Sequence, residues 1–211
     1  MRSFFMKKMA LFLEGDSEKI AIRFYLQKYL PQIEITLDVY EFIDHAQDSS
    51  IVLLYDCLGH ESVLPKAKEY SSTLWNDTIV LVRDLERMPC FSSLSADILQ
   101  EIPQLKNQGA KFGLIAAPCM EAVYGCDMQL FQAVMQQVYK ETHGKSAPAI
   151  FAEECQFIDW KNPTPGLRAF CARYNLGYKK IKIASKFFSQ LNYSSSDHPY
   201  IMRLKDLFVE L

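Results

Sequence analysis

Three apolar runs in this chain end in acid. Phe12-Leu13 passes into Glu14-Gly15-Asp16-Ser17-Glu18, Leu54-Tyr55 into Asp56, and Leu81-Val82 into Arg83-Asp84-Leu85-Glu86. Carboxylates confined together raise one another's pKa unless a cation or basic group stands between them. A hard divalent ion such as Mg²⁺ relieves that repulsion, because it prefers oxygen ligands, keeps several waters and needs only a few protein carboxylates. The same ion can activate a water and neutralise charge that develops on a phosphate. Glu14 and Glu18 lie four positions apart, so both can face one ion if a helix starts early enough between them. Plainer roles compete: Asp16 as a helix cap, Glu18 as a first-turn acid in the helix dipole, Asp56 as a turn residue before Gly59. Recurrence at strand ends favours Glu14 and Asp84 as the functional pair.

Other chemistries lack their residues. There is no G-x-x-x-x-G-K-[ST], no G-x-G-x-x-G and no G-x-S-x-G, which removes support for a P-loop, a dinucleotide site and a nucleophile elbow. His45, His60, His143 and His198 fall in expected loops without an H-E-x-x-H arrangement. Cys57 and His60 have the spacing of half a metal site, but no second pair completes it, so packing is the expected role. The six cysteines include no C-x-x-C, and a reducing, cytoplasmic setting is expected. The start MRSFFMKKMALFLEG sets basic residues before an apolar run, but the run is short and leads into acid, so no export signal is expected. No apolar run approaches the roughly 20 residues of a membrane helix, and no membrane association is expected.

The elements that must position the acids follow from periodicity. Met9 to Leu13, Ile51 to Tyr55 and Thr78 to Val82 read as buried strands, Ile33 to Phe42 as a half-exposed strand, and Lys111 to Ala117 as a further strand. Helical patterns fall at Ser17 to Leu30, Ser62 to Trp75, Ser92 to Asn107 with Pro103 to break it, and Met120 to Tyr139. Strands interleaved with helices predict an α/β fold, a Rossmann-like and mainly parallel sheet flanked by helices. In such sheets ligands gather at the carboxyl ends of strands, where Glu14, Asp56 and Asp84 lie. Residues 1–140 are expected to form this core. Residues 141–166, with Gly144, Pro148, Pro163, Pro165 and Gly166, are expected to form an irregular connection, and residues 167–211 a basic helical extension that packs on the core.

Charge divides along the chain. Residues 1–159 hold 14 Lys/Arg against 22 Asp/Glu, a net of −8, whereas residues 160–196 hold seven Lys/Arg and no acid. The basic segment is either a solvated face that balances the acidic body or a surface for an anionic partner.

Taken together, these residues resemble the TOPRIM fold, the metal-binding module of topoisomerases, primases and OLD-family nucleases. A strand ends in Glu14-Gly15 before a helix, and a later strand ends in Asp84-Leu85-Glu86, with Glu86 where that fold has a second aspartate. Over most of its length the chain resembles a family of small TOPRIM-like proteins: Asp56-Cys57-Leu58-Gly59 is similar to their Asp-Cys-x-Gly segment, and Tyr178-Lys179-Lys180 to their late Tyr-x-Lys. Glu121 to Asp127 keeps the acids of another segment, with Val123 at a tryptophan position. The resemblance implies a Mg²⁺- or Mn²⁺-dependent nuclease acting on DNA or RNA. Glu14, Asp84 and Glu86 would hold metal, Glu18 a second ion or its water, and Asp56 and Glu121 would be further acids at the same edge. Lys180 would stabilise charge on the scissile phosphate. Such proteins often stand beside an ABC- or OLD-type ATPase in bacterial anti-phage defence. Phosphates repel an acidic edge, so a separate basic surface must hold the backbone; Lys161, Arg168, Arg173, Lys179, Lys182 and Lys186 could supply it. The substitution at Glu86 and the missing tryptophan leave an alternative, a degenerate module that binds an ATPase or nucleic acid without cleavage.

Overall fold

The strands are Lys8–Leu13 (β1), Glu34–Leu37 (β2), Ile51–Asp56 (β3), Thr78–Asp84 (β4) and Lys111–Ala116 (β5). The α-helices are Asp16–Tyr29 (α1), His60–Ser71 (α2), Met128–His143 (α3), Ile150–Cys155 (α4), Pro163–Arg173 (α5), Lys180–Gln190 (α6) and Pro199–Phe208 (α7). They come from a computed structural model that describes residues 8–37, 51–72, 78–85, 98, 100–106, 108–116 and 119–208. Glu86, the end of the strand expected to reach Phe42, and the first part of the helix expected over 92–107 lie outside the described residues.

All five strands are parallel, in the order β2-β3-β1-β4-β5. β1 is apolar from Met9 to Leu13 and β4 from Ile79 to Val82, and the strands are buried from Met9 to Leu13 and from Ile79 to Asp84. Near-continuous apolar runs of this kind belong to strands covered on both faces. The pleat then divides the side chains. Met9, Leu11, Leu13, Val80 and Val82 join one apolar layer with α1, α3, α5, α6 and α7, while Ala10, Phe12, Ile79 and Leu81 join the other with Val63 and Ala67 of α2. The α/β fold with a parallel sheet flanked by helices is therefore the observed one.

The C-terminal helices share the core of the sheet. Ile183, Phe187 and Phe188 of α6 and Tyr200, Ile201 and Leu204 of α7 are buried in the same layer as Ala21 and Ile22 of α1. The Tyr193 hydroxyl donates to the Ala21 carbonyl at 2.8 Å, which ties the α6–α7 connection to α1.

Several boundaries moved for local reasons. Asp16 is the first residue of α1 instead of its cap; Gly15 holds the cap position, no side chain caps the helix, and Asp16 pairs with Lys19 at 3.0 Å. The helix expected over Met120 to Tyr139 is two elements, a 3-10 turn over Met120–Cys126 and α3, divided at Asp127, whose carboxylate accepts from Leu130 N at 2.9 Å. α3 continues to His143 and stops at Gly144, in the left-handed conformation at φ 66° that glycine adopts without steric cost. Residues 141–166 thus hold the end of α3, all of α4 and the start of α5, where Pro163 suits a first helical turn because its missing N–H would be unpaired there.

Candidate functional site

The chain parts at the carboxyl end of β1. The helix after β1 packs on one face of the sheet, whereas α2 after β3 and Ile102 and Leu105 after β4 pack on the other. Such a parting opens a crevice outside the strand ends, the usual ligand position in open α/β sheets. The register places Leu13 of β1 opposite Val82 of β4, so Glu14 and Asp84 emerge side by side just beyond. Glu14 N donates to the Val82 carbonyl at 3.2 Å, and Asp84 N donates to Glu14 Oε2 at 2.9 Å. The glutamate side chain is therefore fixed to the backbone of its partner strand.

Asp84 shares strand parity with Val80 and Val82, which turns it toward α1 and the C-terminal layer. There its carboxyl is hydrogen-bonded to that of Glu18, in the first turn of α1. Both are almost fully buried, at 2% exposure for Glu18 and 6% for Asp84. Burial pushes Glu18 up to about 7. Burial and then the charge of Glu18 push Asp84 well above the carboxylate range. The cause is elementary: two carboxyls in one dry place cannot both ionise cheaply, so they hold a proton between them.

A cation faces this pair from the C-terminal layer. Lys180 opens α6, acts electrostatically on both Glu18 and Asp84, and forms an ion pair with Glu121 Oε1 at 3.0 Å. Glu121 is 1% exposed, and it also accepts a hydrogen bond from the Tyr178 hydroxyl at 2.8 Å. Lys180 and Tyr178 outweigh burial and hold Glu121 below its ordinary value. The structure thus brings together Glu14, Glu18, Asp84, Glu121 and Lys180 from four separate stretches of chain.

Asp56 stands apart from this group. Its carboxylate takes the Lys19 ammonium at 3.2 Å and the Leu58 N–H at 3.0 Å, and its carbonyl takes the Lys66 ammonium at 2.6 Å. It orders the turn after β3 and steadies α1. That turn carries Leu58 at φ 56°, a conformation a leucine adopts at a cost, with its side chain 82% exposed.

The basic residues divide. Tyr178, Lys179, Lys180, Lys182, Ser185 and Lys186 line an open concavity of about 790 Å³ along α6, adjoining the acidic group through Lys180. Lys182 and Lys186 are held there by Glu141, at 2.9 and 2.7 Å, and pull its carboxylate down to about 2. Arg173 pairs with Glu154 at 2.9 Å and lines a different, smaller cleft. Arg168 stacks its guanidinium over the Tyr178 ring at 5.8 Å, and Lys161 is exposed in the turn before α5. The hydroxyls of Tyr124 and Tyr200 are buried within electrostatic reach of Glu18; no spacing rule brings the two together, so the sequence gives no sign of them.

Among the described residues no three acid, histidine or cysteine side chains form a ready-made ligand set. The chemistry of the donors nonetheless fits a hard divalent ion. They are carboxylate oxygens, and Asp84 Oδ1 is buried without a hydrogen-bond partner. A cation satisfies both that deficit and the repulsion the shared proton now relieves. Among the described residues no helix is long and apolar enough to cross a membrane. Compared with protein-family models, with curated proteins and with solved structures, the chain has no match.

Proposed function

We propose that this protein is a TOPRIM-like, Mg²⁺- or Mn²⁺-dependent nuclease that hydrolyses phosphodiester bonds of DNA or RNA. The observation that carries the reading is the convergence of Glu14, Glu18 and Asp84 at the ends of two adjacent parallel strands, with Lys180 facing them from a basic helix. Glu14, Asp84 and Glu18 would hold the ion. Its chemistry when bound would be to lower the pKa of a water and to screen the phosphate charge.

The residues of the chain supply the rest. The backbone bond from Asp84 N holds the Glu14 carboxylate at the sheet edge, so its orientation costs nothing at the moment of reaction. Asp84 and Glu18 would have to give up their shared proton to hold the ion, so ion binding would strengthen as pH rises. Lys180, 38% exposed on its side chain, keeps one side open to solvent and stabilises charge that grows on a phosphate oxygen beside the acids. Lys179, Lys182 and Lys186 hold neighbouring phosphates along α6.

Plasmid nicking and RNA cleavage with Mg²⁺ or Mn²⁺ test this directly. Activity is expected in the wild type and a loss of at least 100-fold in Glu14→Gln and Asp84→Asn; full activity in both variants overturns the assignment. The second reading, a module that binds without cutting, is favoured by the lack of a ready-made ligand set among the described residues. Calorimetric titration separates the two, since the nuclease takes up Mg²⁺ at this edge and the bare module does not. The resemblance extends the proposal to a cytoplasmic effector of anti-phage defence that works with an ABC- or OLD-type ATPase, and co-purification with such a partner is its test.

A further inference from the structure

The charge of Lys180 has to be aimed. A lysine ammonium is a compact charge on a flexible stem, so its position depends on what grips it. Here the grip is Glu121, presented by the 3-10 turn after β5, and Glu121 is itself gripped by Tyr178. Both donors use the same oxygen, Oε1, at 3.0 Å for Lys180 and 2.8 Å for Tyr178. The approach to α6 explains how one oxygen receives both. Asn175 and Gly177 adopt left-handed backbone conformations, at φ 51° and 61°, which redirect the chain after α5. Residues 176–179 then run without helical structure, so Tyr178 and Lys180 lie inward while Lys179 between them is exposed. The Arg168 guanidinium over the Tyr178 ring fixes the ring from outside.

We infer that Tyr178 and Glu121 form a clamp that sets the Lys180 ammonium against the Glu18–Asp84 carboxyls. Tyr178 is thus a positioning residue for the proposed cleavage, and Glu121 serves the lysine instead of the metal. This rests on the nuclease reading for its catalytic consequence, but the clamp itself is independent of it. A buried carboxylate with one oxygen committed to two donors is held in a single orientation, and the lysine follows. Without the phenol, Glu121 is free to rotate about its last torsion and carry Lys180 away from the acids.

Two measurements on the full chain test the clamp. In the first, Lys180 and Lys179 are labelled with an amine-reactive reagent and quantified by mass spectrometry. Lys180 should be protected relative to Lys179 in the wild type, and its labelling should rise at least fivefold in Tyr178→Phe and Glu121→Gln; unchanged labelling overturns the clamp whether or not the protein cuts nucleic acid. In the second, cleavage kinetics are compared for Tyr178→Phe, Lys180→Met and the double variant. Tyr178→Phe, which keeps the ring and its packing, should lower kcat about tenfold and leave KM within twofold. The double variant should be no slower than Lys180→Met, since a residue that acts only through Lys180 loses its effect when Lys180 is gone. Multiplying losses would make Tyr178 independent of the lysine and overturn the positioning role. Increased labelling together with no cleavage by the wild type on any nucleic acid would sustain the clamp and remove the nuclease reading.

Discussion

At the scale of single residues, Glu18 sets a dependence on pH. Its carboxyl is pushed from the ordinary 4.5 to about 7 on folding, mainly by burial. The folded chain therefore binds that proton more tightly than the unfolded chain. Stability from this source is complete below about pH 4.5 and is lost as pH rises toward 7, because the unfolded state ionises first. The loss is on the order of 3 kcal/mol if Glu18 titrates alone, and Asp84 shifts in the same direction. Urea unfolding in EDTA should show stability falling between pH 5 and pH 7, with a flatter profile in Glu18→Gln. A second residue acts through the backbone. Leu58 holds φ 56° with its side chain in solvent, so Leu58→Gly gives up little packing and relieves the strain. The net gain should be about 0.5 kcal/mol after the entropy that glycine loses on folding, or roughly 2 °C in thermal unfolding. Gly59 at φ 127° supplies the opposite control, since Gly59→Ala should lower the melting temperature.

Among elements, α6 joins the structure to the site. Its outer side carries Lys182 and Lys186, with Lys179 just before its first turn, and its inner side buries Ile183, Phe187 and Phe188 against the layer that contains α1. Phe187 is fully buried and packs at 4.9 Å between ring centroids from Tyr124, on the turn that presents Glu121. Phe187→Ala should cost roughly 3–5 kcal/mol. The whole chain should then unfold at a lower denaturant concentration in one transition, followed by both circular dichroism and tyrosine fluorescence. Separate transitions for residues up to 143 and for the helices beyond would mean that the C-terminal layer is an independent appendage. The position of Lys180 requires a shared core, because its partner Glu121 belongs to the sheet side and Lys180 to the helical side.

Over the whole molecule, the uneven charge along the chain becomes an uneven surface. The acidic edge and the basic concavity meet at Lys180, and Glu141 neutralises part of the basic side by holding Lys182 and Lys186. Glu141→Gln should therefore tighten nucleic-acid binding and steepen its decline with salt, whereas Lys182→Ala and Lys186→Ala should each reduce the slope by about one, as measured by fluorescence anisotropy across a salt series. The parallel sheet was legible in the sequence because apolar runs of strand length, broken by helical periodicity, leave few other arrangements. Glu14 and Asp84 were legible because a strand that ends in acid has to place that charge at the sheet edge. What linear spacing could not convey was pairing across the chain. Asp56 has the same strand-end pattern as Asp84, yet it meets Lys19 and its own turn, while Asp84 meets Glu18. Tyr178 and Glu121 are 57 positions apart and share a hydrogen bond only because the turn after β5 packs, through Tyr124, on Phe187 and Phe188 of α6. By itself the sequence determined which side chains carry charge and which segments must be buried, since both follow from local composition. Only the tertiary structure decided which charges are partners, because strand order and helix packing, set by burial of apolar faces far from the site, bring them within reach of one another.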